Sequence, residues 1–112
     1  MGRVSRVKGL FHRPKHNWIA KYITQEGITV AKENTSKLIK ALERGKLGKL
    51  KIGRKRALAI ARALREEANR LKAQLKRKDL KPETREKFKR LYEIYDSASD
   101  RAFTIYREEY KE

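Results

Sequence analysis

Two segments carry apolar residues at sustained helical spacing. Ala57, Ala61, Leu64, Ala68, Leu71 and Leu75 recur at intervals of 4, 3, 4, 3 and 4, a heptad seam in which alanine lets a partner helix approach closely. Phe88, Leu91, Tyr95, Ala98, Ala102 and Ile105 recur at 3, 4, 3, 4 and 3, and Tyr92, Ser99, Phe103, Tyr106 and Tyr110 widen that stripe. The pattern predicts helices from about Arg54 to Lys78 and from about Pro82 to Tyr110. Asp79–Glu83 forms the turn between them, with Pro82 suited to the first helical position and Glu83 to the first turn. A turn this short makes the helices antiparallel neighbours. At 1.5 Å per residue they span about 37 and 43 Å.

The segment before them is less regular. Trp18, Ile19, Tyr22 and Ile23 fall on one face of a predicted short helix, with Asn17 as its N-cap and Gly27 as its stop. A second short helix carries Leu38, Ile39, Ala41 and Leu42 and ends at Gly45; Thr29 or the Asn34–Ser36 stretch supplies its start. Residues 46–53 alternate lysine with leucine and isoleucine between glycines, the pattern of either a short strand or a basic loop. Residues 1–16 hold Gly2, Gly9 and Pro14, which break a helix, and too few apolar side chains for a core. The fold class that follows is all-α: a basic extended arm over 1–16, short helices and a basic loop over 17–53, and a long helical hairpin over 54–112. A two-helix hairpin cannot cover the aromatic stripe on its second helix. Either the short helices fold back on it or other copies of the chain do, and both are expected.

Charge changes the picture from architecture to partner. The 112 residues carry 31 Lys and Arg against 14 Asp and Glu, a formal +17. Residues 1–56 hold 16 basic and 3 acidic residues, 57–80 hold 7 and 3, and 81–112 hold 8 of each. Excess charge of this size opposes compaction unless a polyanion neutralises it. Duplex DNA carries about one charge per 1.7 Å, so full neutralisation covers about 29 Å, or eight to nine base pairs. The candidate nucleic-acid contacts are Arg3, Arg6, Lys8, Arg13 and Lys15 on the arm, then Lys37, Lys40, Arg44, Lys46, Lys49, Lys51, Arg54 and Lys55. To these add Arg62, Arg65, Lys72 and Lys76, which with Asn69 form a second stripe opposite the alanine seam. The neutral final third instead suggests protein contacts, with Phe88, Leu91, Tyr92, Tyr95, Phe103, Tyr106 and Tyr110 as the self-assembly set.

Several classes fall away. The absence of cysteine excludes a disulfide scaffold and a zinc ribbon. No apolar run approaches the roughly 20 residues of a membrane span. His12 and His16 are separated by Pro14 and lack a third ligand, so neither a metal nor any other cofactor is expected. Neither histidine has a catalytic partner at readable spacing, there is no Gly-rich phosphate loop, and an enzyme is not expected. Asn, Gln and Cys total only five residues, which suits a hot host.

Two families enter at this point. Ser36-Lys37-Leu38-Ile39-Lys40-Ala41-Leu42-Glu43-Arg44-Gly45-Lys46 resembles the recognition helix of repressor-type helix-turn-helix proteins, and Ala57–Leu64 resembles their following helix. That resemblance, covering 35–64, implies a transcriptional regulator with Ser36, Lys37 and Lys40 towards the major groove. Over the whole chain, a basic arm, short helices and a long hairpin resemble the coat proteins of filamentous archaeal viruses. That resemblance implies a virion nucleocapsid protein whose copies wrap double-stranded DNA in a helical array. The leading expectation is therefore a protein that coats and compacts double-stranded DNA without sequence specificity, located in the virion. A regulator and a ribosomal or other RNA-bound structural protein are the alternatives, and the alternative location is the cytoplasm, nucleoid- or ribosome-associated. DNA is favoured over RNA, and like subunits are the expected protein partners.

Overall fold

The computed structural model describes residues 17–23 and 26–110. The basic arm, with Arg3, Arg6, Lys8, Arg13 and Lys15, lies outside the described residues. The described chain is mostly helical. Its elements are α1 (Asn17–Ala20), α2 (Ile28–Arg44), β1 (Lys46–Leu47), β2 (Leu50–Lys51), α3 (Arg54–Leu75) and α4 (Pro82–Glu109).

Helix α1 is a single turn. It closes through Tyr22 N–H to the Ile19 carbonyl at 2.8 Å and Ile23 N–H to the Ala20 carbonyl at 3.1 Å. Gly27, expected to end this helix, instead opens the next. Its backbone is extended (φ −173°, ψ 160°) and its carbonyl accepts from Ala31 N–H. Helix α2 therefore begins at Ile28, before both starts read from the sequence. Asn34–Ser36 lie in mid-helix, where the buried Thr35 hydroxyl donates back to the Ala31 carbonyl at 2.9 Å. That bond explains how a residue with capping chemistry sits comfortably inside a helix. Ala31, Thr35, Leu38, Ala41 and Leu42 form the buried face.

Gly45 ends α2 in the left-handed region (φ 82°), its N–H returning to the Ala41 carbonyl, the simplest glycine C-cap. Strands β1 and β2 pair antiparallel, Lys46 opposite Lys51 and Leu47 opposite Leu50. Gly48, at φ 62°, takes the first central position of the two-residue turn, as a type II′ hairpin requires. Ile52 is buried and bonds back to the Gly45 carbonyl, which anchors this ribbon to the body. The segment left open between strand and loop is thus a short hairpin.

Helix α3 buries Ala57, Ala59, Ile60, Ala61, Leu64, Glu67, Ala68 and Leu71. It ends at Leu75, three residues before the expected Lys78. Its last turn tightens as Lys76 N–H reaches Ala73 and Arg77 N–H reaches Gln74. Arg85 then caps the end from α4, donating to the Leu75 carbonyl at 2.7 Å and the Arg77 carbonyl at 2.6 Å. The last carbonyls of a helix need donors from outside its regular bonding: the tightened turn serves Ala73 and Gln74, and the Arg85 guanidinium serves Leu75. Pro82 occupies the first helical position of α4.

Helix α4 packs against both α3 and α2. Arg65 of α3 meets Asp96 and Asp100, and Arg85 meets the end of α3, so α3 and α4 run antiparallel. Lys87 approaches the Glu26 carbonyl near the start of α2, and Arg101 meets Glu43 near its end, so α2 and α4 run in the same direction. Leu38, Leu42, Ile60, Leu64, Leu71, Leu91 and Tyr95 are the large, fully buried side chains between these helices, with Ile19 of α1 joining them. The short second helix does fold back on the aromatic stripe.

Candidate nucleic-acid interface

Cations collect at one corner, where the end of α2, the ribbon and the start of α3 meet. Lys37, Lys40 and Arg44, spaced 3 and 4 apart, lie exposed on one face of α2. On the ribbon, Lys46 and Lys51 stand directly opposite each other and Lys49 sits at the tip, all exposed. The first turn of α3 is Arg54, Lys55 and Arg56, with no acid.

Local electrostatics oppose this arrangement twice. Like charges directly opposite across a ladder are destabilising. Cations at a helix N-terminus face the positive end of the peptide dipole. Arg56 is held by one hydrogen bond to the Lys51 carbonyl at 3.0 Å, and Arg54 lies over the Tyr106 ring at 5.4 Å. The one acid within 37–56 is Glu43, and it is engaged by Arg101 at 3.2 Å. None of Lys37, Lys40, Arg44, Lys46, Lys49, Lys51, Arg54 or Lys55 has a carboxylate within ion-pair distance among the described residues.

Elsewhere on the described surface several arginines are ion-paired, while exposed cations such as Lys32, Lys78, Lys89 and Arg107 likewise have no carboxylate within ion-pair distance among the described residues. Arg70 pairs with Glu67 at 2.6 Å, Arg77 with Asp79 at 2.9 Å and Arg90 with Glu86 at 3.1 Å. Arg65 is the main correction to the sequence reading. Its guanidinium reaches Asp96 at 2.7 Å and Asp100 at 2.6 Å, and the Asp96 hydrogen bond leads the effects that raise its already high pKa. It sits beside Leu64 on the edge of α3 that faces α4, so it joins the two helices. Arg62 is exposed but lines a separate groove of about 420 Å³ with Ile19, Ala63, Glu66 and Arg70. Lys72 and Lys76 remain exposed further along α3. The second basic stripe is therefore interrupted.

Two members of the self-assembly set are placed in the interior. Leu91 and Tyr95 are fully buried inside one chain, because α2 and α3 both cover that face of α4. Phe88, Tyr92, Phe103, Tyr106 and Tyr110 are half-buried against the core. Val30, at 36% exposure, is the one large apolar side chain among the described residues that stands in the open.

Ser36, Lys37 and Lys40 lie in the middle of α2, and the ribbon separates α2 from α3. In a repressor-type motif the reading residues come from the first turn of the recognition helix.

Two contributors were missed in the sequence. Arg56 completes an Arg-Lys-Arg triplet directly after Gly53 and could have been included on that ground. Tyr22 lines a cleft with Lys37, Lys40 and Arg44, and nothing in the linear pattern connects it to them. Among the described residues no group of His, Cys, Asp and Glu could hold a metal ion, and no helix is long and apolar enough to cross a membrane. No family model matches the chain, and no curated protein or solved structure gives a significant match.

Proposed function

We propose that this chain is a structural nucleic-acid-binding protein that engages the phosphate backbone of double-stranded DNA through the α2–ribbon–α3 corner. The observation that carries the reading is the concentration there of eight exposed cations without carboxylate partners among the described residues, in a stretch whose one acid, Glu43, is engaged by Arg101. Lysine and arginine on exposed surfaces contact phosphate, which positions a protein without reading bases. Binding of this kind releases counterions, and its affinity falls steeply with salt. Coating of the duplex by many copies, as in a virion, is the extension of this reading that the basic arm and the hairpin architecture support.

The test is a fluorescence-anisotropy titration of the full chain on a 30-base-pair duplex at several salt concentrations. Eight corner cations, each neutralising one phosphate, set an upper bound of about −7 on the slope of log K against log salt. Two unrelated duplex sequences should bind within a fewfold of each other. A preference of about a thousandfold for one sequence would favour a regulator, and tighter binding to RNA duplex than to DNA would favour the RNA-bound alternative. Electron microscopy of the protein on long linear DNA tests the extension: continuous filaments of uniform width support coating, and isolated particles refute it.

A further inference from the structure

We propose that the cleft between α2 and β1 seats one sugar–phosphate unit of the bound strand, with the phosphate among Lys37, Lys40, Arg44 and Lys46 and the sugar against the Tyr22 ring. The proposal rests on the nucleic-acid reading above and names where one backbone unit is held.

The cleft is lined by Tyr22, those four cations, Ala41, Leu47 and Gly48. Its volume is about 270 Å³. The cleft is open to solvent and admits a phosphate with its sugar. The chemistry of the walls matches the two halves of such a unit. No carboxylate lines the cleft, so nothing there neutralises the four cations. The end of α2 contributes only about half a negative charge through its peptide dipole, which leaves most of the positive charge unanswered. One of the last α2 carbonyls, Leu42, is already taken by the Tyr110 hydroxyl, and another, Ala41, by Gly45 N–H. The cations are therefore not required to satisfy those acceptors.

Tyr22 supplies the other half. It is half-buried and packs against the core, which fixes its ring, and Lys21 Nζ lies 5.4 Å from the ring centroid. A fixed aromatic face beside cations offers an apolar contact to a sugar while the phosphate next to it is bound by charge. The positions are set by rigid elements: α2 holds Lys37, Lys40 and Arg44 one turn apart, and the ribbon anchored by Ile52 holds Lys46.

The experiment measures binding of the full chain to a 20-base-pair labelled duplex by anisotropy across salt, with helicity followed by circular dichroism. The Lys37→Ala/Lys40→Ala variant should reduce the magnitude of the salt slope by about 0.9, the share of one phosphate, and weaken binding by roughly tenfold at about 0.1 M salt. Both side chains are exposed, so helicity should be retained. Tyr22→Ala should weaken binding several-fold with the slope unchanged, and Tyr22→Phe should bind as the parent does. If the double variant binds with the parent's slope while the parent binds DNA, the cleft is not the seat and only this proposal falls. If Tyr22→Ala binds like the parent, the sugar contact is refuted. If the parent shows no salt-dependent binding, the nucleic-acid reading itself fails.

Discussion

The Tyr110 hydroxyl donates to the Leu42 carbonyl at 2.6 Å, tying the end of α4 to the last turn of α2 across 68 positions of sequence. It satisfies a carbonyl that α2 cannot satisfy for itself. Tyr110→Phe keeps the ring and removes the bond, so it should lower stability by about 1 kcal/mol, read as a smaller urea midpoint. The bond also has a pH signature. Burial first, and then the charge of Glu109, raise the Tyr110 pKa above its ordinary value of 10.0. The folded chain therefore holds this proton more tightly than the unfolded chain. The stabilisation is full below about pH 10 and is lost as pH rises through the raised folded value. Between pH 8 and pH 10.5 the parent should lose more stability than Tyr110→Phe.

Arg65 carries a second long-range tie, to Asp96 and Asp100. Its side chain is 33% exposed and that of Asp96 34%, so solvent screens the pair. A cost on the order of 1 kcal/mol is expected for Arg65→Ala, seen as a lower melting temperature. The DNA salt slope should stay as in the parent. A slope smaller by about 0.9 would mean that Arg65 contacts a phosphate after all.

Tyr95 separates core from subunit contact. Its full burial means that Tyr95→Asp places a carboxylate in the α2–α3–α4 core, at a cost above about 4 kcal/mol. Circular dichroism should show an unfolded chain. Tyr92, half-buried on the neighbouring edge, is the better probe of protein contacts. Tyr92→Asp should remain helical, and sedimentation on DNA would show whether copies then bind with less cooperativity.

Gly45 tests the joint between helix and ribbon. A Cβ there meets nothing within 4 Å, yet the backbone is at φ 82°. Gly45→Ala should therefore cost about 1–2 kcal/mol through the left-handed backbone alone. Because Ile52 N–H bonds the Gly45 carbonyl, amide exchange of Ile52 should speed up as well.

How much was legible varied with how local the information was. Pro82 at the start of α4 and Gly45 at the end of α2 act through their own backbones, and both were read where they stand. Gly27 was misread because glycine serves equally as a stop or as an extended residue before a helix. Helix α2 packs along α4, and that long-range contact leaves no local signal at Gly27. The end of α3 was placed three residues late because Arg85, ten positions beyond Leu75, supplies the capping bonds.

The candidate site divides along the same line. Composition and charge runs pointed to a basic first half and singled out Lys37, Lys40, Arg44 and the ribbon lysines. They could not separate Arg65, neutralised from 31 positions away, from its exposed neighbours, nor bring Tyr22 to the side of Lys40. By itself the sequence determined the long helices and their apolar faces, because a 3.6-residue period is a property of consecutive residues. Tertiary structure alone decided which charges are spent inside the protein and which remain for a partner. Pairing depends on distances between elements, and packing sets those distances.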